Sequence, residues 1–297
     1  MRDNSVQGIE RGELLAPDPH RGLERSCTDG KGDGMRISNS ARGIERIEAR
    51  FHGNGFSPHR HDTYALGLTL HGIQTFHYRG TSHFSRPGNV IILHPDEVHD
   101  GAAGTDLGLI YRMIYLPPQL LAAVGDYRHA LPFAPDPVTA DATLWQALAE
   151  VLDDLDHEPS ELLLDDVVLR ISDALNRHAG GPNAAVATPA RVAVMRTVDF
   201  LESHYNDSIG SEDLEAVSGL SRFELARQFR RLMGTSPHRY MVLRRLDQAK
   251  QLLTDGVGLA DAAAAAGFAD QPHFTRHFRK TFGMTPGRWL ALRSGGK

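Results

Sequence analysis

Two groups of side chains in this sequence could do chemistry. The first is imidazole: His59-Arg60-His61 form a close pair, Tyr64 follows, and His99 lies further along. Histidines so placed could ligate a metal, cap a strand end or line a pocket for a small molecule. The second is guanidinium: Arg227, Arg230 and Arg231 fall in one short segment, and Arg276, Arg279 and Lys280 in another. On an exposed helix face, arginine pairs bidentately with guanine or grips phosphate; the alternative is a solvated surface charge. Nothing resembles a nucleophile elbow, a phosphate-binding loop or a zinc-protease helix, so no enzyme is expected.

The arginines belong to a repeat. Residues 229–240 (FRRLMGTSPHRY) and 278–289 (FRKTFGMTPGRW) align without a gap at an offset of 49. Arg227 matches Arg276, Arg230 matches Arg279, Gly234 matches Gly283, and Pro237 matches Pro286. A mostly helical repeat of this length is a duplicated supersecondary unit. In the first copy, Ser211 to Ser218 predicts a helix with Ser211 as its N-cap, Gly219-Leu220-Ser221 a turn, and Arg222 to Met233 a second helix. In the second copy the corresponding pieces are Leu259 to Ala266, a turn at Gly267 to Asp270, and Gln271 to Phe282. Phe223, Leu225 and Phe229, with Phe274, Phe278 and Phe282, are spaced to fill the core. A helix, a glycine turn and a second helix is the arrangement that lays one helix in the major groove. Ser236-Pro237 starts a further helix to about Leu253, roughly 25 Å long at 1.5 Å per residue. Set beside the ~34 Å between successive major-groove faces, this lets one subunit reach two of them.

The first half has a different rhythm. Tyr64–Leu70, Gln74–Tyr78, Val90–Leu93 and Leu109–Tyr115 read as short strands broken by glycine and proline turns, a small antiparallel barrel or sandwich. Residues 141–157 and about 160–178 then switch to helical spacing, with Leu144, Leu148, Leu152 and Leu155 in one apolar stripe and Leu163, Val167, Ile171 and Leu175 in another. Their partner is either the barrel or a second subunit.

Composition narrows the class. At 41% hydrophobic and 23% charged residues, the chain is an ordinary globular protein. The net charge of −5 hides an asymmetry: residues 190–297 carry 16 Lys/Arg against 11 Asp/Glu, and residues 1–189 carry 16 against 26. A basic module beside an acidic one points toward a polyanion. Cys27 is the single cysteine, which excludes an internal disulfide or a Cys-rich metal site. With neither a secretory signal nor a membrane span in view, a cytoplasmic protein is expected. Residues 1–40 are expected to be a disordered tail, with Met35 a candidate start of translation, and residues 180–190 a linker.

With these residues in hand, the sequence resembles the AraC/XylS family of transcription regulators. The resemblance covers about residues 191–293, most specifically GFADQPHFTRHFRKTFGMTPGRW; SPHRHDTYALGLTLHGIQTFHYRG and RPGNVIILHPDEVHDG resemble the cupin-like sensor domain many members carry. The resemblance implies an α+β two-domain chain. A cupin-like β-barrel with a helical hairpin spans 41–179, and an all-α domain with two helix-turn-helix units spans 191–297. It implies double-stranded DNA, a small-molecule effector and RNA polymerase as partners, with a homodimer expected. Carried over by position, the DNA-contacting residues are Phe223, Ala226 and Arg227, then Gln271, Pro272, His273 and Arg276; Arg230, on the same arginine-bearing face, is added to the expected DNA contacts. His59, His61, Tyr64 and His99 are the expected effector pocket. A metal-binding cupin adds a nearby Glu to its histidines, whereas here no Glu occurs from Asp62 to Arg86. A ligand pocket without metal or other cofactor is therefore the reading adopted, a three-histidine site the alternative. The missing carboxylate also weakens the rival reading of a cupin enzyme fused to DNA-binding helices. An architectural DNA-binding protein, the third reading, leaves residues 51–116 without a role.

Overall fold

The computed structural model describes residues 33–39, 41–125, 129–180 and 187–294. Alternation along the strands builds its first half. β1 (Gly34–Asn39), β2 (Glu45–Phe51), β4 (Tyr64–His71), β7 (Val90–Leu93), β9 (Leu109–Leu116) and β10 (Val138–Thr139) form a sheet in the order β1-β2-β9-β4-β7-β10. A second sheet is ordered β3-β8-β5-β6, from β3 (Asn54–His59), β5 (Gln74–Tyr78), β6 (Thr81–Ser85) and β8 (His99–Ala103). Every pairing is antiparallel.

Successive residues of the larger sheet serve different cores. Ile47, Ala49, Phe51, Ala65, Ile91 and Met113 lie in one apolar cluster with Phe76 and Tyr78 of the smaller sheet. Leu66, Leu68, Val90, Ile92 and Ile114 meet α1 (Pro118–Val124), α2 (Ala142–Leu152) and α3 (Glu161–His178). Both predicted leucine stripes are consumed there, so the helical hairpin's partner is the chain's own sheet. Two arginines on this face fasten it. Buried Arg46 donates to the carbonyls of Val151 (3.0 Å) and His157 (2.8 Å). Arg112 donates to that of Leu152 (2.7 Å) and pairs with Glu48. The carbonyls of Val151 and Leu152 are among those that the end of α2 leaves without helical partners, and that of His157 belongs to the loop beyond.

The second half follows the repeat closely. After α4 (Thr188–Ser203) come α5 (Ser211–Ser218), α6 (Arg222–Met233), α7 (Pro237–Thr254), α8 (Leu259–Ala265), α9 (Gln271–Phe282) and α10 (Pro286–Ser294). Ser221, Ser236 and Asp270 cap their helices through side-chain oxygens, and Gly219, Gly234 and Gly283 end helices in the left-handed conformation. α7, with 18 residues, is about 27 Å long.

Three sequence expectations need correction. Residues 34–39 lie within the expected tail but form β1, because Gly34 to Asn39 pair residue by residue with β2; residues 1–32 lie outside the described residues, as do 181–186 of the expected linker. The N-cap of α5 is Gly210, whose N–H is bonded by Asp213, and Ser211 is already helical. Phe223 does not fill the core: it is 81% exposed. No helix among the described residues is long and apolar enough to cross a membrane.

Candidate functional site

The two recognition helices present equivalent faces. On α6, Phe229 and Leu225 are buried, which turns Phe223, Arg227 and Arg230 outward; Ala226 is half-buried between them. On α9, Phe274 and Phe278 are buried, leaving Gln271, Pro272, Arg276, Arg279 and Lys280 exposed. Asp270 accepts the His273 N–H, and the half-buried His273 ring packs edge-on against Phe268 (5.7 Å) and His277 (4.6 Å). Arg227 is ion-paired with Glu224 one turn back. Arg227 and Arg276 thus stand on the second turn of their helices, toward the end that meets base edges in a groove, while Arg230, Arg279 and Lys280 lie in the last turn.

The opposite ends of these helices are held by the barrel domain. Leu131 donates its N–H to the carbonyl of Arg231 near the end of α6 (3.2 Å). At the end of α9, Gly283 O accepts from the N–H (3.2 Å) and hydroxyl (2.7 Å) of Ser57, and Lys280 O accepts from Arg60 N–H (3.1 Å). Arg239 donates to Arg60 O (2.7 Å), and Gln119 to the Tyr240 hydroxyl (3.1 Å). The apolar cluster inside the barrel continues into the second unit through Phe274, Phe278, Met284 and Trp289.

A cavity of about 310 Å³ opens where the mouth of the barrel meets α7 and α10. Ile37, Ile47, Phe56, Phe282, Met284 and Trp289 supply apolar walls. Two ion pairs at its wall cross between domains, Lys250 with Glu45 and Arg244 with Asp62 (3.2 Å), and Arg244 also pairs with Asp247 of its own helix (3.1 Å). The Lys250 ammonium also sits 4.7 Å from the Phe282 ring centre.

Of the four residues expected in the pocket, His59 and His61 line this cavity. His99 is in the layer behind, its ring 4.3 Å from His59 and 4.8 Å from His61. Tyr64 stands apart, in the core beneath the helical hairpin, donating its hydroxyl to Pro132 O (2.6 Å). Burial holds all three imidazoles neutral: His59 and His61 fall well below their ordinary range, and His99 falls to about 4. Lys250, Glu45, Arg244 and Asp62 were missed by sequence reasoning, since no spacing links a strand to a helix 200 residues away. Trp289 had a signal, as the last residue of the repeat.

Residues 42–171 match the family model of the AraC-like ligand binding domain, and residues 214–291 that of a helix-turn-helix domain. The HTH-type transcriptional regulator YbfI of Bacillus subtilis (strain 168) is 30% identical over 234 residues, 76% of this chain and 85% of the relative. The HTH-type transcriptional activator RhaS of Yersinia pestis is 25% identical over 251 residues, 81% and 91% of the two chains. Among solved structures, ToxT from Vibrio cholerae shares the fold with a TM-score of 0.62 at 13% identity, covering 84% of this chain and 98% of ToxT. The chain belongs to the AraC/XylS family. It is a DNA-binding transcription regulator with an effector-binding domain, as the resemblance implied.

Proposed function

We propose that this regulator reads its operator through Arg227 and Arg276, with Phe223, Ala226, Gln271 and His273 flanking them and Arg230 on phosphate. One observation carries the reading: both recognition helices expose their first turns while their last turns are bonded to the effector-binding domain. A change in that domain therefore acts on both reading heads. The effector occupies the cavity between the barrel mouth and α7, contacting His59 and His61, and is an apolar molecule with a carboxylate. Its walls and its Lys250 suit such a ligand; ToxT has been solved with an unsaturated fatty acid and with (E)-4-(8-methylnaphthalen-1-yl)but-3-enoic acid. A ligand carboxylate would compete with Glu45 for Lys250 and so loosen one bridge between the domains. The protein works in the cytoplasm as a homodimer that engages RNA polymerase, with no catalytic step.

Footprinting of the purified protein at about 0.15 M salt tests this, since non-specific phosphate binding is suppressed there. Discrete protected sites with two contacts about one helical turn apart per subunit are expected, with occupancy altered by medium-chain carboxylates in wild type but not in Lys250→Met. Diffuse binding with and without ligand overturns the reading.

A further inference from the structure

His59 ends β3, His61 follows it, and His99 opens β8 directly across from His59. One ligating atom of each lies within 4.8 Å of the others, and all three residues are buried. Their Nδ1 atoms share one feature. Each meets a main-chain carbonyl: Ser57 O at 2.8 Å, Thr63 O at 2.9 Å and Glu97 O at 2.9 Å. A carbonyl can only accept, so each Nδ1 carries the proton and each Nε2 carries the lone pair. Nε2 of His61 is buried without a hydrogen-bond partner. Three acceptors gathered in one buried place, with no donor supplied to His61, are poor protein design unless a cation belongs among them. Carbonyls that fix the tautomer and aim the ring are what metal-binding imidazoles require of their surroundings.

We propose that His59, His61 and His99 bind one first-row divalent cation of the zinc class, in a site that needs no carboxylate. Imidazole donors select zinc, copper or nickel over magnesium and calcium. Zinc–nitrogen bonds of about 2.0–2.1 Å in tetrahedral geometry set the nitrogens ~3.3 Å apart, so from a span within 4.8 Å the cluster closes by up to about 1.5 Å on binding. Because His59 and His61 line the cavity, the fourth position faces it, open to water or to a donor atom of a ligand. The absent Glu that argued against a metal in the sequence removes one ligand of a set, whereas the three that remain converge. The site is also wired to the second reading head, since Ser57 and Arg60 bond the end of α9. That consequence rests on the regulator reading; occupancy by the cation does not.

Zinc titrated into EDTA-treated full-length protein, in competition with a chromophoric chelator, decides the matter. One equivalent per chain is expected. His61→Ala and His99→Ala should each weaken binding by about 100-fold or more, and His71→Ala, on an exposed residue, should leave it unchanged. Zinc should raise Tm in wild type and not in His61→Ala. Should the variants fail to fold, long-range proton–nitrogen spectra of the wild type serve instead: zinc should shift the Nε2 signals of these three rings alone. Absence of stoichiometric binding overturns the site. So does zinc binding that leaves the three Nε2 signals in place, or that persists in folded His61→Ala and His99→Ala.

Discussion

Gly234 and Gly283 are the same residue of the two repeats, and each places its bare Cα against the effector-binding domain. A Cβ on Gly234 would lie 2.5 Å from Pro95 Cβ; one on Gly283 would lie 2.9 Å from His59 Nδ1 and 3.0 Å from Ser57 O. Both sit at positive φ (74° and 69°), as helix-ending glycines do. The same position thus closes a helix and docks it.

Gly234→Ala and Gly283→Ala should therefore wedge a unit off the barrel as well as strain the backbone. Gly219→Ala supplies the control, because φ there is 70° but a Cβ meets no atom within 4 Å. The control should lose about 1–2 kcal/mol in chemical denaturation, and the two docking variants more. Hydrogen exchange should quicken on β3 in Gly283→Ala alone.

The two kinds of arginine separate by salt. Arg276→Ala should cost about 1–3 kcal/mol on the operator and relax preference at one base pair. Arg230→Ala should weaken all sequences alike and lower the salt slope by about 1. Competition binding at several salt concentrations reads both. Full sequence discrimination in Arg276→Ala would remove that residue from base reading.

His94 should make stability pH-dependent. Its Nε2 accepts the Ala134 N–H (3.0 Å) and its Nδ1 meets the Tyr78 hydroxyl (2.8 Å), in a buried setting that lowers it to about 4. Unfolded, the ring takes a proton near the ordinary 6.5. Between these values the unfolded state binds more protons, so the stabilisation is complete above pH 6.5 and is lost as pH falls toward 4. On lowering the pH through this window, the stability of wild type to denaturant should fall by up to about 1.4 kcal/mol per pH unit more than that of His94→Gln.

Arg46→Met should keep the packing of the methylenes but strand the carbonyls of Val151 and His157. Leaving the buried Val151 acceptor unsatisfied costs about 1–3 kcal/mol, and the part-buried His157 carbonyl, nearer to water, costs less. Calorimetry should show a lower Tm, and exchange should quicken at the end of α2 before the sheet.

The helical half was legible in the sequence because its signals are local. Caps, left-handed glycines and the 49-residue offset all act within a few residues, and they placed α6 and α9 to the residue. Exposure of the arginine pair followed from the phenylalanines opposite. Of the barrel's strands, β4, β5, β7 and β9 were legible, but β2, β3, β6, β8 and β10 were not, nor was β1, since Gly34-Met35-Arg36-Ile37-Ser38-Asn39 becomes a strand only by pairing with β2. Tyr64 was misplaced for a related reason. Alternation gave its strand but not which face of a sheet apolar on both sides it would serve. The cavity was invisible, because its walls come from elements that meet only when the domains dock.

β1, the first strand described, packs against α10, the last helix described. Met35, Ile37, Trp289 and Arg293 meet around the cavity. The molecule is thus a ring of contacts closed without its connecting peptide. Divided within residues 181–186, its halves should find each other as separate chains, and an effector bound at their seam as proposed would then act as the adhesive of a split protein.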